Sequence, residues 1–130
     1  MDWPTDKAVF AVILGFTALL GLSFGANAAQ PYNAGAFQEA QKTGKAILLH
    51  VTAPWCPTCK AQHPIIANIE KARPGLVVYN IDFDTSKDAL REFRVQSQST
   101  LIVFKGNREV GRSTGDTKPG GIEALVAKGF

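Results

Sequence analysis

Cys56 and Cys59 are the entire thiol content of a 130-residue chain, and they stand two residues apart in HVTAPWCPTCKAQHPII, His50 to Ile66. Thiols at that spacing make a redox couple, half of a metal site or a passive crosslink. An apolar run before the pair and a helix-forming stretch after it place the cysteines where a strand passes into a helix. With Cys56 as the N-cap, Pro57 takes the first helical position, where its missing N–H costs nothing and its fixed φ suits the turn. The Cys56 sulfur then faces the free N–H groups of Thr58 and Cys59 and the positive end of the helix dipole, all of which favour thiolate over thiol. A lowered pKa makes Cys56 nucleophilic near neutral pH. Cys59, one turn further in and expected to be less exposed, is placed to attack a mixed disulfide formed on Cys56. Cys56 therefore reads as the attacking thiol and Cys59 as the resolving one, with Trp55 as a flat apolar wall suited to docking a peptide.

Metal binding is the competing chemistry. Cys56, Cys59 and His63 form C-x-x-C-x-x-x-H, with Cys59 and His63 four apart on one helical face and His50 behind them, donors that suit Cu or Zn. A zinc site of this kind recruits a second Cys or His pair, and the chain has only two Cys and two His in all. A purely structural crosslink is weaker still, because a loop this small removes little unfolded-state entropy. Dithiol–disulfide exchange is the reading the residues favour.

The elements that must hold these side chains follow from hydrophobic patterning. Asn33 caps a predicted helix over 34–43, with Gly44 as its stop. AILLHVT, 46–52, is a nearly unbroken apolar run of the kind found in a strand covered on both faces. The cysteine loop opens a helix that carries Ile65, Ile66 and Ile69 at helical spacing and that Pro64 is expected to kink. LVVYNI, 76–81, is a second buried strand; TSKDALREFRV is a short helix capped by Thr85 or Ser86. TLIVFK, 100–105, and EVGRS, 109–113, flank a GN turn and read as a hairpin. KPGGIEALVAKGF ends in a helix that buries Ile122, Leu125 and Val126. The order α-β-α-β-α-β-β-α gives one mixed sheet with helices on both faces.

Ahead of this domain lies AVFAVILGFTALLGLSF, Ala8 to Phe24, without a charge. Its length is at the short edge of a bilayer span, which needs about 17 to 25 residues. It is followed by Ala26 and Ala28, small side chains that suit signal-peptidase cleavage before Ala29. Residues 1–28 are thus expected to be a cleaved signal peptide or an uncleaved N-terminal membrane anchor, and both place the domain outside the cytoplasm. Without them the chain carries 13 basic and 9 acidic residues, net +4. The basic residues are scattered, with no run and no interleaved aromatics, which argues against a nucleic-acid partner.

VTAPWCPTCK, the proline at 64, VVYNIDFD and STLIVFKGNREVG together resemble the thioredoxin superfamily from about residue 34 to the C-terminus. The resemblance implies an α/β fold, a thioredoxin-like three-layer sandwich with a central mixed four-stranded sheet flanked by helices, over residues 29–130. It implies a Cys56–Cys59 disulfide, a protein-disulfide oxidoreductase with no cofactor, and substrate contacts from Trp55, Pro57, Thr58, Ser99 and Thr100. Exported members handle disulfides or dithiols of envelope proteins and depend on an upstream redox partner. A metal-binding or non-catalytic binding protein is the alternative.

Three departures from the family pattern stand out. Ser99 occupies the place of a cis proline, which predicts a trans Gln98–Ser99 bond, a rearranged loop, and a hydroxyl able to bond Cys56 or leave room for a ligand. His50 stands where many thioredoxins bury an aspartate, and Val78 near that aspartate's lysine partner; a neutral imidazole there suits a proton relay to Cys59. Pro57-Thr58 replaces Gly-Pro between the cysteines, which retunes the redox potential in a direction the dipeptide does not fix; Thr58, uncharged, is expected to make a milder oxidant than a histidine at that place.

Overall fold

The computed structural model describes residues 28–130. Five strands and four helices follow along it: β1 Gln30–Pro31, α1 Ala34–Lys42, β2 Ala46–Thr52, α2 Pro57–Ala72, β3 Leu76–Asp82, α3 Lys87–Glu92, β4 Thr100–Lys105, β5 Arg108–Thr114 and α4 Pro119–Ala127. They build one mixed sheet in the order β1-β3-β2-β4-β5. β1, β3 and β2 run parallel, with His50 opposite Asn80; β4 lies antiparallel to β2 and β5 antiparallel to β4. Both leader readings fall on residues that lie, apart from Ala28, outside the described ones. Among the described residues no helix is long and apolar enough to cross a membrane.

The sheet is covered on both faces because its central strands are apolar on both. Phe37, Ile47, Leu49, Val51, Tyr79, Ile81, Phe93 and Phe104 form the cluster beneath α1 and α3. Leu48, Ile66, Ile69, Val78, Leu101, Val103, Ile122, Leu125 and Val126 form the one beneath α2 and α4. Each such side chain, fully buried, contributes about 1.5 to 3 kcal/mol.

The expected four-stranded sheet gains a fifth strand. Gln30–Pro31, read from sequence as a terminus or tether, pairs with Tyr79 and Asn80 at the sheet edge, and Tyr32 N–H donates to Asn80 O at 2.9 Å. Proline is tolerated there because an edge strand needs no donor on its outer side. α3 is shorter than its apolar pattern, since Arg94 turns left-handed at φ 54° and Val95 N–H closes back on Leu90 O. α2 runs unbroken through Pro64. At the hairpin turn Gly106 takes φ 57°, a conformation open to glycine at little cost.

Candidate active site

Cys56 is the N-cap of α2, extended at φ −89° and ψ 110°, with Pro57 in the first turn. Its sulfur accepts the Cys59 N–H at 3.1 Å, while its own N–H donates to Ala53 O. The sequence at this point folds as its parts dictate: the cap orients the sulfur, proline fixes the first turn, and the strand before it ends on the turn at Ala53. Cys56 and Cys59 are joined as a disulfide across a Cα–Cα distance of 5.3 Å.

Exposure does not rank the two thiols as expected. Cys56 is 1% and Cys59 0% exposed, because Ala53 and Phe83 pack against both and the Ser99 loop closes over them. The cap distinguishes them instead: the Cys56 sulfur accepts the helix-end N–H of Cys59 at 3.1 Å, whereas the side-chain contact of the Cys59 sulfur within hydrogen-bond distance is the Ser99 hydroxyl.

Ser99 lies directly on the disulfide. Its Oγ is 3.2 Å from the Cys56 sulfur and 3.2 Å from the Cys59 sulfur. Disulfide sulfurs carry no proton, so the serine hydroxyl is the donor in both contacts. The residue is buried and left-handed at φ 61°, a conformation that costs a side-chain-bearing residue about 1 to 2 kcal/mol. Three hydrogen bonds hold it there: Ser99 N–H to Val51 O at 2.8 Å, and Gly115 N–H and Gln62 Nε2–H to Ser99 O at 3.0 and 3.2 Å. All described peptide bonds are trans, Gln98–Ser99 included. Ser99 uses its N–H and a φ that proline lacks, and this is the rearrangement of the loop.

His50 is fully buried on the face of β2 that meets α2, and its Nε2 lies 2.9 Å from Gln62 Oε1. Burial pushes its pKa down to about 4; the bond to Gln62 works the other way, and His63, whose ring centroid is 4.8 Å away, adds a further lowering. The resting imidazole is neutral, and its Nδ1 is buried without a partner. His63 is exposed and bonds Thr52 Oγ1 at 3.2 Å rather than a sulfur. Among the described residues no three His, Cys, Asp or Glu side chains converge on a site for a metal ion, so Cys56, Cys59 and His63 are not brought together as a ligand set.

The other expected site residues divide. Trp55 is 55% exposed beside the cysteines and its Nε1–H donates to Asp84 Oδ2 at 2.8 Å, which fixes the plane of the indole. Pro57 is exposed and Thr58 half-buried on the first turn of α2. Thr100 turns away: it is buried, donates to Ser97 O at 2.8 Å and meets Thr114 Oγ1, so its hydroxyl serves the β4–β5 join and not the sulfurs. Gln62 and Asp84 are the residues that sequence reasoning passed over. Gln62 carried a signal, since it falls in the 3-4-3 spacing Cys59, Gln62, Ile66, Ile69 that marks the buried face of α2. Asp84, brought to Trp55 from 29 residues away, carried none.

The Thioredoxin family model matches residues 29–128. Thioredoxin H-type 1 of Nicotiana tabacum is 31% identical over 98 residues, 75% of this chain and 77% of its own length. Thioredoxin H-type of Fagopyrum esculentum is 32% identical over 82 residues, 63% of this chain and 71% of its own. Among solved structures, Trxlp from Edwardsiella tarda EIB202 superposes with a TM-score of 0.73 at 40% identity, covering 76% of this chain and 98% of that one. With a redox-active cysteine pair at a strand-to-helix turn and these relatives beside it, the chain belongs to the thioredoxin family and is a thiol–disulfide oxidoreductase.

Proposed function

We propose that this chain exchanges disulfides with proteins of the cell envelope through its Cys-Pro-Thr-Cys couple, exported by residues 1–28 and acting in the periplasm either free or held at the membrane. Support for the place of action is the apolar, small-residue-terminated leader; support for the chemistry is the capped Cys56 sulfur bonded to Cys59 beneath the Ser99 hydroxyl. That capped pair is the observation that carries the reading.

In the reducing direction the Cys56 thiolate attacks one sulfur of a partner disulfide, forming a mixed disulfide and releasing the partner's other sulfur as thiolate. Cys59, deprotonated, then attacks the Cys56 sulfur; the Cys56–Cys59 bond forms, the mixed bond breaks, and the partner leaves with its second thiolate. Two electrons pass to the partner, whose thiolates take up two protons. The reverse sequence oxidises a partner dithiol, and an upstream redox partner resets the pair. Trp55, Pro57 and Thr58 form the rim on which the partner segment docks, and Ser99 stabilises whichever sulfur is thiolate. His50 bonds neither sulfur at rest, its Nε2 being held by Gln62; as a relay it would hold the Cys59 proton only in transit, because an imidazole with pKa about 4 does not retain it, and the exposed His63 lies against its ring.

The test is insulin reduction by the purified chain with dithiothreitol as electron source, run for wild type, Cys56→Ser and Cys59→Ser. We expect Cys56→Ser to abolish turnover and Cys59→Ser to accumulate a mixed disulfide; turnover by Cys56→Ser equal to wild type would sink the mechanism. Fractionation of cells making the full chain should recover the domain outside the cytoplasmic membrane, and recovery inside would remove the export part alone.

A further inference from the structure

Gln62 is a fully buried amide one turn below Cys59, and its hydrogen bonds go to neither sulfur. Its bonds reach three separate parts of the chain. Nε2 donates one hydrogen to Ser99 O at 3.2 Å and the other to Asp116 O at 2.9 Å, while Oε1 sits 2.9 Å from His50 Nε2. Two carbonyl oxygens accept and cannot donate, so the NH2 end of the amide must face them and the oxygen must face His50. His50 Nε2 therefore carries the ring proton, and Nδ1 is the bare nitrogen. The same amide braces the carbonyl of Ser99, the residue whose hydroxyl lies on both sulfurs and whose backbone is held left-handed.

We propose that Gln62 is a positioning residue for the dithiol: through its side-chain amide it seats Ser99 against the two sulfurs and fixes His50 as the Nε2–H tautomer, so the redox balance of Cys56 and Cys59 depends on a residue that hydrogen-bonds neither sulfur. The inference rests on the exchange chemistry above and deepens it. An apolar residue of similar length would leave the Asp116 carbonyl and the His50 N–H without their buried partner and would take from the Ser99 carbonyl one of its two donors, Gly115 N–H remaining. Such groups recover partners by moving, and Ser99 is the member of the set whose conformation is unfavourable without its braces.

Titration of the Cys56–Cys59 couple against glutathione, in wild type, Gln62→Leu, Ser99→Ala and the double variant, separates positioning from mere packing. We expect Gln62→Leu to shift the equilibrium constant toward disulfide by about tenfold, the scale of one displaced hydrogen bond to a charged sulfur. In the Ser99→Ala background the same substitution should change it less than about twofold, since the hydroxyl it positions is gone. Equal shifts in both backgrounds, or no shift in either, overturn the proposal. Should Gln62→Leu fail to fold, Gln62→Met takes its place in the cycle. Nitrogen-15 NMR of the wild-type imidazole gives a reading that no variant can spoil: His50 protonated at Nε2 agrees, and protonation at Nδ1 overturns it. The glutathione equilibrium needs no protein substrate, so failure of insulin reduction and failure of this inference are distinct results.

Discussion

Ser99 is where this chain's chemistry parts from a proline-lined site. A hydroxyl 3.2 Å from both sulfurs interacts weakly with a neutral disulfide and strongly with a thiolate, so it stabilises the reduced, ionised form over the oxidised one. A hydrogen bond to a charged group contributes about 1.5 to 3 kcal/mol, and for a two-electron couple about 1.4 kcal/mol corresponds to 30 mV. Ser99→Ala should therefore lower the reduction potential by about 30 to 60 mV and raise the Cys56 pKa, read by glutathione equilibration and thiolate absorbance. An unchanged potential would show that the hydroxyl bonds no thiolate. Ser99→Pro is a different experiment, because it deletes the N–H given to Val51 O and demands a negative φ where the chain takes +61°. The cysteines, the cap and Trp55 were legible because their chemistry lies within one turn. Ser99 was legible only as a departure from a pattern, since it comes to Cys56 from 43 residues away, and the Gln62 amide needed the packed core to reveal its partners.

The elements that carry this site were legible to the extent that each has its own period. β2, β3 and β4 are apolar runs long enough to announce buried strands, and α2 and α4 place isoleucine, leucine and valine at helical spacing. β1 escaped because two residues have no period; only pairing with Tyr79 and Asn80 makes them a strand. α3 was overextended because its apolar pattern continues past the left-handed Arg94 that ends it. α1 buries only Phe37 and Ala40, so Phe37 bears most of its attachment. That ring packs edge-on against Tyr79, Phe93 and Phe104, with centroids 6.3, 5.3 and 5.3 Å away, and tilts against Tyr32. Phe37→Ala should cost about 3 to 5 kcal/mol in urea unfolding while leaving the Cys56–Cys59 potential unmoved, because the cluster it leaves is on the sheet face opposite α2. A loss below 1 kcal/mol would mean that α1 is held by something else, whose candidates are few in so short a helix.

At the scale of the whole molecule, the buried imidazole ties stability to pH. His50 is neutral in the fold down to about pH 4, whereas in the unfolded chain it titrates near the ordinary 6.5. Above pH 6.5 neither state takes the proton, and the group leaves stability independent of pH. As pH falls from 6.5 toward 4 the unfolded state binds a proton that the folded state refuses, so stability is lost across that window, by about 3 kcal/mol when complete. Glu70 acts in the opposite sense: burial raises its carboxyl above the usual range, so the folded state gains stability as acid protonates it. Both groups sit in the same helix–sheet layer, and a simple acid titration reports their sum. Comparing wild type with His50→Leu by urea unfolding at pH 7.5, 6, 5 and 4 isolates the histidine, since Glu70 is common to both chains. The variant loses the Gln62 partner and starts lower, but the wild type should fall by about 3 kcal/mol more than the variant over that range, most of it below pH 6. Parallel lines for the two proteins would show that His50 binds its proton equally in both states. Against a typical total of about 5 to 15 kcal/mol the expected drop is large enough to make the domain acid-labile. A buried histidine that stays neutral in the fold then favours a working range near neutral pH, where the proton inventory of the core is fixed.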